Sequence, residues 1–184
     1  VTGGTGVDQI TTGPGQKTIN LGTGNDTITS FNGFVAGNAS ADTISGFVTG
    51  GSGDNYNAQF SLANGATTST NALSGIAPVN SALNATATAN DVIYQFADAS
   101  DQMAGSSTVS NAIANAVSVL SDGTDFSSAN IATGDALILV LDDGTNNFVF
   151  HYVADGTAAT TAAADLQLIG VFSGVQTFAT GDFI

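Results

Sequence analysis

The sequence predicts an all-β (mainly β) protein in two parts. An N-terminal parallel β-roll or β-solenoid spans residues 1–57, and a β-sandwich-like C-terminal domain with one or two short helices spans residues 58–184. Three observations predict it. Glycine and one large apolar residue recur every nine residues at the start of the chain, with a carboxylate in the first and third units. Eleven phenylalanines and many valines, isoleucines and threonines follow, the composition of pleated, half-buried strands. Late in the chain, an Asp-Gly turn separates two apolar runs, the short-range signature of a hairpin.

Residues 3–11 read GGTGVDQIT, residues 12–20 TGPGQKTIN and residues 21–29 LGTGNDTIT. Each unit has glycine at its second and fourth positions and isoleucine at its eighth. Glycine reaches backbone angles that other residues avoid, so the first six residues of a unit can turn tightly. The last three form a short strand that sends one large side chain inward, which stacks Ile10, Ile19 and Ile28 into a thin core. Two units complete one coil, so the turn holding Asp8 lies beside the turn holding Asp26. The middle unit carries Lys17 where its neighbours carry aspartate. Its ammonium either lies over its own carbonyl-rich turn or projects into water, the usual habit of a surface lysine.

Later units decay. SADTISG keeps Asp42 and Ile44 in the same mutual spacing, but Asp42 follows Asp26 by sixteen residues where a full coil needs eighteen. GGSGDNYNA, from Gly50, keeps the glycines and sets Asn55 at the aspartate position with Asp54 just before it. Beyond this the glycine period stops, and residues 61–90 read as loop or weak strand. DVIYQF at 91–96 reads as a strand. Ser107 to Leu120 places Val109, Ile113, Val117 and Leu120 at helical spacing. DALILVL and NNFVFHYV supply strands at 136–141 and 147–153, joined through Asp142, Asp143 and Gly144, and DLQLIGVF supplies a last strand before TGDFI.

The charge is more unusual than the length. All fifteen acidic residues are aspartate, Lys17 is the sole lysine or arginine, and the net charge is −14. Nucleic acid is excluded as a partner, because phosphate binding needs clusters of Lys and Arg, and anionic membrane surfaces are disfavoured on the same ground. No run of eighteen apolar residues is present to cross a bilayer as a helix. There is no cysteine, so disulfides contribute nothing and the redox compartment is left open. So anionic a chain calls for a cation.

The first unit matches in full the nonapeptide G-G-x-G-x-D-x-U-x, with U a large apolar residue. Over roughly its first third the sequence resembles the RTX (repeats-in-toxin) family of secreted bacterial proteins. The resemblance implies calcium held between neighbouring turns by Asp8 and Asp26, with backbone oxygens from Gly3, Gly4, Thr5, Gly6, Leu21, Gly22, Thr23 and Gly24. Ala39, Asp42, Gly53, Asp54 and Asn55 are implied as ligands of irregular sites where the roll frays. Calcium takes about six to eight oxygens, a number that carboxylates and carbonyls of adjacent turns can supply. The C-terminal portion resembles the terminal region of proteins exported by bacterial type I secretion, which implies a type I exporter as partner and a secreted, extracellular or cell-surface location. The opening residues spell no secretory leader, which accords with that route and equally with a processed chain.

No catalytic constellation is legible. The zincin motif H-E-x-x-H needs glutamate, which is absent, and His151 lies among alternating large residues in a strand with no G-x-S-x-G elbow elsewhere. Two functions remain as expectations. One is a calcium-dependent structural module that self-assembles into a homo-oligomer or polymer through open solenoid edges, as in surface layers, adhesins or matrix fibres. The other is the calcium-folding secretion tail of a larger exported enzyme or toxin. Asp26, facing turns on both sides, is the residue on which calcium binding should depend most.

Overall fold

The computed structural model describes residues 1–30, 37–38, 40–50, 52–57, 76–79, 93–96, 102–104, 107–121, 133–134, 136–155, 161–174, 176–179 and 181–183. Ile10, Ile28 and Tyr56 are aligned across three short parallel strands, β1 (Gln9–Thr12), β3 (Thr27–Ser30) and β5 (Asn55–Asn57), which form one sheet in the order β1-β3-β5. Alternation puts one residue of each strand inward and its neighbours outward. Ile28 and Tyr56 are accordingly buried, Ile10 is half-buried at the end of the stack, and the threonines and asparagines beside them face out.

The intervening strands lie in a second sheet. β2 (Thr18–Asn20) pairs in parallel with β4 (Asp42–Ser45), which aligns Ile19 with Ile44. β4 then pairs in parallel with β10 (Leu166–Ser173). β10 continues antiparallel to β9 (Asn146–Val153), β9 to β8 (Ala136–Asp142), and β8 runs parallel to β7 (Ile93–Phe96) and β7 to β6 (Ile76–Val79). The seven-stranded order is β2-β4-β10-β9-β8-β7-β6, so a single sheet joins strands from both sides of residue 57.

Both faces of this sheet are covered. Leu137, Leu139 and Leu141 of β8, Phe148, Phe150 and Tyr152 of β9, and Leu166 and Leu168 of β10 pack against helix α1 (Ala112–Leu120) through Ala112, Ile113, Ala116 and Leu120. The alternate residues Ile138, Val140, Val149, Ile169 and Phe172 pack on the opposite face with Ile19, Ile28, Ile44 and Tyr56. Burial on both faces explains the near-continuous apolar runs of β8 and β10. The described C-terminal strands lie in one sheet, with α1 against one face and β1, β3 and β5 against the other.

α1 begins later than the helical spacing predicts. Residues 107–110 spend their polar groups locally, with the Thr108 amide donating to Asn111 Oδ1 at 2.6 Å and the Ser107 hydroxyl to the Ala104 carbonyl at 2.8 Å. Such short polar side chains compete with helical bonding. The hairpin is placed as expected: Asp142 Oδ1 accepts the Gly144 amide, and Asp143 Oδ1 accepts those of Thr145 and Asn146, at 2.8–2.9 Å. β6 lies within the stretch read as loop or weak strand. As the terminal strand of its sheet it tolerates Pro78, which lacks a backbone donor.

Tyr56 ties the two sheets together. A bulge in β10 between Leu168 and Gly170 interrupts the ladder to β9, and the Ile169 carbonyl accepts the Tyr56 hydroxyl at 2.6 Å. A side chain on Gly170 would press on Phe172 and on that hydroxyl. Burial pushes the Tyr56 phenol above its ordinary range, so it remains a donor.

Candidate functional site

The residues two positions before the inward stack form a column. Asp8, Asp26 and Asp54 precede Ile10, Ile28 and Tyr56, and the parallel register sets each beside the next. Asp8 Oδ2 accepts the Gly4 amide of its own turn at 2.8 Å. Asp26 Oδ1 accepts the Asp8 amide at 2.8 Å, and Asp54 Oδ1 accepts the Asp26 amide at 2.7 Å. Asp54 Oδ2 closes the far end on the Val48 amide at 2.8 Å. Each turn of this column is thus joined to the next by a carboxylate receiving a backbone N–H, a charge-assisted bond about twice as strong as its neutral counterpart.

One oxygen is left over. Asp26 is 1% exposed, and its Oδ2 is buried without a hydrogen-bond partner. An orphaned buried carboxylate oxygen is costly, so it needs an explanation, such as an ion.

Backbone oxygens crowd the same turns. The first and third turns stack so closely that Thr23 donates to the Gly4 carbonyl at 3.1 Å and accepts from the Gly6 amide at 2.8 Å. Gly22 and Gly24 hold positive φ, 90° and 147°, and a Cβ on either would collide with the carbonyl oxygen of Gly4 or Gly6 respectively. Gly22 and Gly24 are therefore required twice over, by backbone angle and by the approach of the facing turn. Gly3, Gly4, Thr5, Gly6 and Asp8 are brought against Leu21, Gly22, Thr23, Gly24 and Asp26, with Thr5 bridged directly to Thr23.

The decayed units fall elsewhere than their spelling suggests. Asp54, and not Asn55, occupies the aspartate position, because the inward residue is Tyr56; Asn55 faces outward in β5. Gly53 lies in that turn, where a Cβ would strike the Val48 carbonyl. Asp42 does not follow Asp26. It stands on the β2–β4 side, where its Oδ1 accepts the Lys17 amide at 2.9 Å. Ala39 lies outside the described residues.

Lys17 folds back onto its own turn at the exposed surface and does not extend away from it. Its Nζ donates to the carbonyls of Gly13, Pro14 and Gly15 at 2.7, 2.9 and 3.0 Å. The Gly-Pro-Gly turn points three oxygens at a side chain two to four residues further on, which overrides the usual preference of a lysine to extend into solvent.

The end of the chain also joins this region. Asp182 is fully buried, with Oδ1 accepting the Gly50 amide and Oδ2 the Ala179 amide, both at 2.7 Å. Phe183 bridges Tyr56 in parallel. Gly181, Asp182 and Phe183 also set a glycine and a carboxylate before a large apolar residue, but with Asp182 directly before Phe183 where Asp54 stands two residues before Tyr56. Distance along the chain concealed the likeness.

Among the described residues, no three His, Cys, Asp or Glu side chains converge as a ligand group. An ion here would draw on one or two carboxylates and on backbone carbonyls, which suits a hard cation that prefers oxygen. His151 is buried in β9, and burial lowers its pKa to about 4, so the ring is neutral at pH 7. No helix among the described residues is long and apolar enough to cross a membrane. No protein-family model, curated protein or solved structure matches the chain.

Proposed function

We propose that the chain is a calcium-dependent extracellular structural module of the bacterial cell surface, built on a parallel β-roll of the RTX kind and exported by the type I route. In this reading the two short parallel stacks, β1-β3-β5 and β2-β4, are the two sides of one coil, with successive nonapeptides alternating between them. The reading is carried by the buried Asp26 Oδ2, which has no protein partner although it sits in a column of carboxylates beside glycine turns rich in carbonyl oxygen. Asp8 and Asp26, with carbonyls of the two stacked turns, are the residues that would hold calcium, and the ion would supply the positive charge that this face of the coil otherwise lacks.

Folding is then coupled to export. Three aspartates repel within adjacent coils, and a core one side chain wide cannot offset the chain entropy by itself. Where free calcium is low, the coil stays loose. Outside the cell, millimolar calcium fills even weak sites and the coil sets. Self-assembly is favoured by the position of β1 at the end of its sheet, with no strand on its outer backbone edge among the described residues. The test is circular dichroism and electron microscopy with calcium and with excess EGTA. Loss of β signal in EGTA, and ordered sheets or fibres only in calcium, are expected. A spectrum indifferent to EGTA, with no heat of calcium binding, would sink the proposal. Calcium-dependent folding to monodisperse particles would favour a secretion tail.

A further inference from the structure

Lys17 Nζ meets three backbone carbonyls at 2.7–3.0 Å. An ammonium has three N–H donors and no acceptor, so these three oxygens satisfy it completely. The same residue is bonded through its backbone to the next strand on its side, its amide to Asp42 Oδ1 at 2.9 Å and its carbonyl to the Thr43 amide at 2.8 Å. A carboxylate and an ammonium therefore flank one turn of the β2–β4 side. On the β1-β3-β5 side the carboxylates of Asp8, Asp26 and Asp54 have no lysine or arginine to meet, because the chain holds none but Lys17.

We propose that Lys17 is a tethered cation that takes the place of a metal ion in its column of turns, so that the β2–β4 side closes without calcium and metal dependence is confined to the Asp8–Asp26–Asp54 side. The contrast between the sides rests on the calcium reading above; the caging of Lys17 does not. A cation carried by the chain is present at every calcium concentration, and its effective concentration at the turn is set by a side chain that begins two to four residues away. The closed turn would then be a fixed element on which the metal-dependent side winds.

Nitrogen-15 NMR of the whole chain tests this in calcium and in excess EGTA. The sole lysine contributes a single Nζ signal. Slowly exchanging ammonium protons, unchanged by EGTA, are expected, together with protected amides at Lys17 and Thr43 and lost protection at Asp8 and Asp26. Ammonium protons that exchange as fast as those of a free lysine would overturn the proposal without any variant. If Lys17 stays caged while Asp8 and Asp26 ignore EGTA, the calcium reading fails and with it the contrast between the two sides, but the caging stands. In Lys17→Met, the amides of residues 17 and 43 should exchange about tenfold faster or more in EGTA. Lys17→Asp restores the nonapeptide spelling beside Asp42 and should make those amides calcium-dependent. Exchange unchanged in both variants would overturn the proposal.

Discussion

Asp26 differs from Asp54, the next carboxylate of its column, by one atom. Asp54 uses both carboxylate oxygens on backbone amides, whereas Asp26 uses Oδ1 alone and buries Oδ2 without a partner. Asp26→Asn separates two explanations of that atom, because the amide keeps the shape and an acceptor for the Asp8 N–H but removes the charge. Calcium affinity should fall by about tenfold or more, since affinity in oxygen cages follows the count of charged ligands. Stability in EGTA should be unchanged or higher, because a buried uncompensated charge has been removed. Equal calcium affinity in isothermal calorimetry would remove Asp26 from the site. Asp8 and Asp26 were legible as a pair because an unbroken eighteen-residue interval separates them. The behaviour of Lys17 was not legible, since nothing in its spelling says which way the carbonyls of residues 13–15 face.

Regular spacing made some elements legible and broke down where loops intervened. Ile10, Ile19 and Ile28 stand where the repeat predicts because no insertion separates their units. Between Asp26 and Asp54 the chain takes twenty-eight residues, by their numbers, to return to the same column. The extra length carries Asp42 to the opposite side and moves the aspartate position from Asn55 to Asp54. A nonapeptide reading has no means of seeing an insertion; only the inward residue, Tyr56, reveals the new phase. Within the regular part, each turn should be intolerant of side chains in proportion to its contact with the next. Gly24→Ala faces a φ of 147° and the Gly6 carbonyl, so the backbone angle alone should cost roughly 1–3 kcal/mol, with displacement of the stacked turn in addition. Gly13→Ala meets nothing within 4 Å, has no positive φ, and should lie within about 0.5 kcal/mol of the parent. Calcium-saturated denaturation curves compare the two. Equal costs would mean that the turns do not stack as described.

At the scale of the molecule, the division at residue 57 is one of sequence character and not of packing. Ile28, Ile44 and Tyr56 share a buried cluster with Ile138, Val149, Phe172, Phe178 and Phe183. Edge-to-face rings continue the contact, with Tyr56 5.4 Å from Phe172 and 6.2 Å from Phe183 between centroids. The far end of the aspartate column is thus closed by the end of the chain, with Asp182 on the Gly50 amide and Phe183 against Tyr56. Such closure makes the repeats and the C-terminal strands one cooperative unit, and Phe183→Ala tests it. Removing a buried phenylalanine costs about 3–5 kcal/mol, and here the loss should appear far away in sequence. Amides of residues 48–57 should lose protection in hydrogen exchange, and unfolding of the repeat region should need less EGTA than in the parent. If the repeats were a separate unit, the variant would loosen only the C-terminal strands and leave the EGTA midpoint where it was. Because Phe183 meets the column at Tyr56, two residues beyond Asp54, a shifted midpoint would report coupling through the shared core.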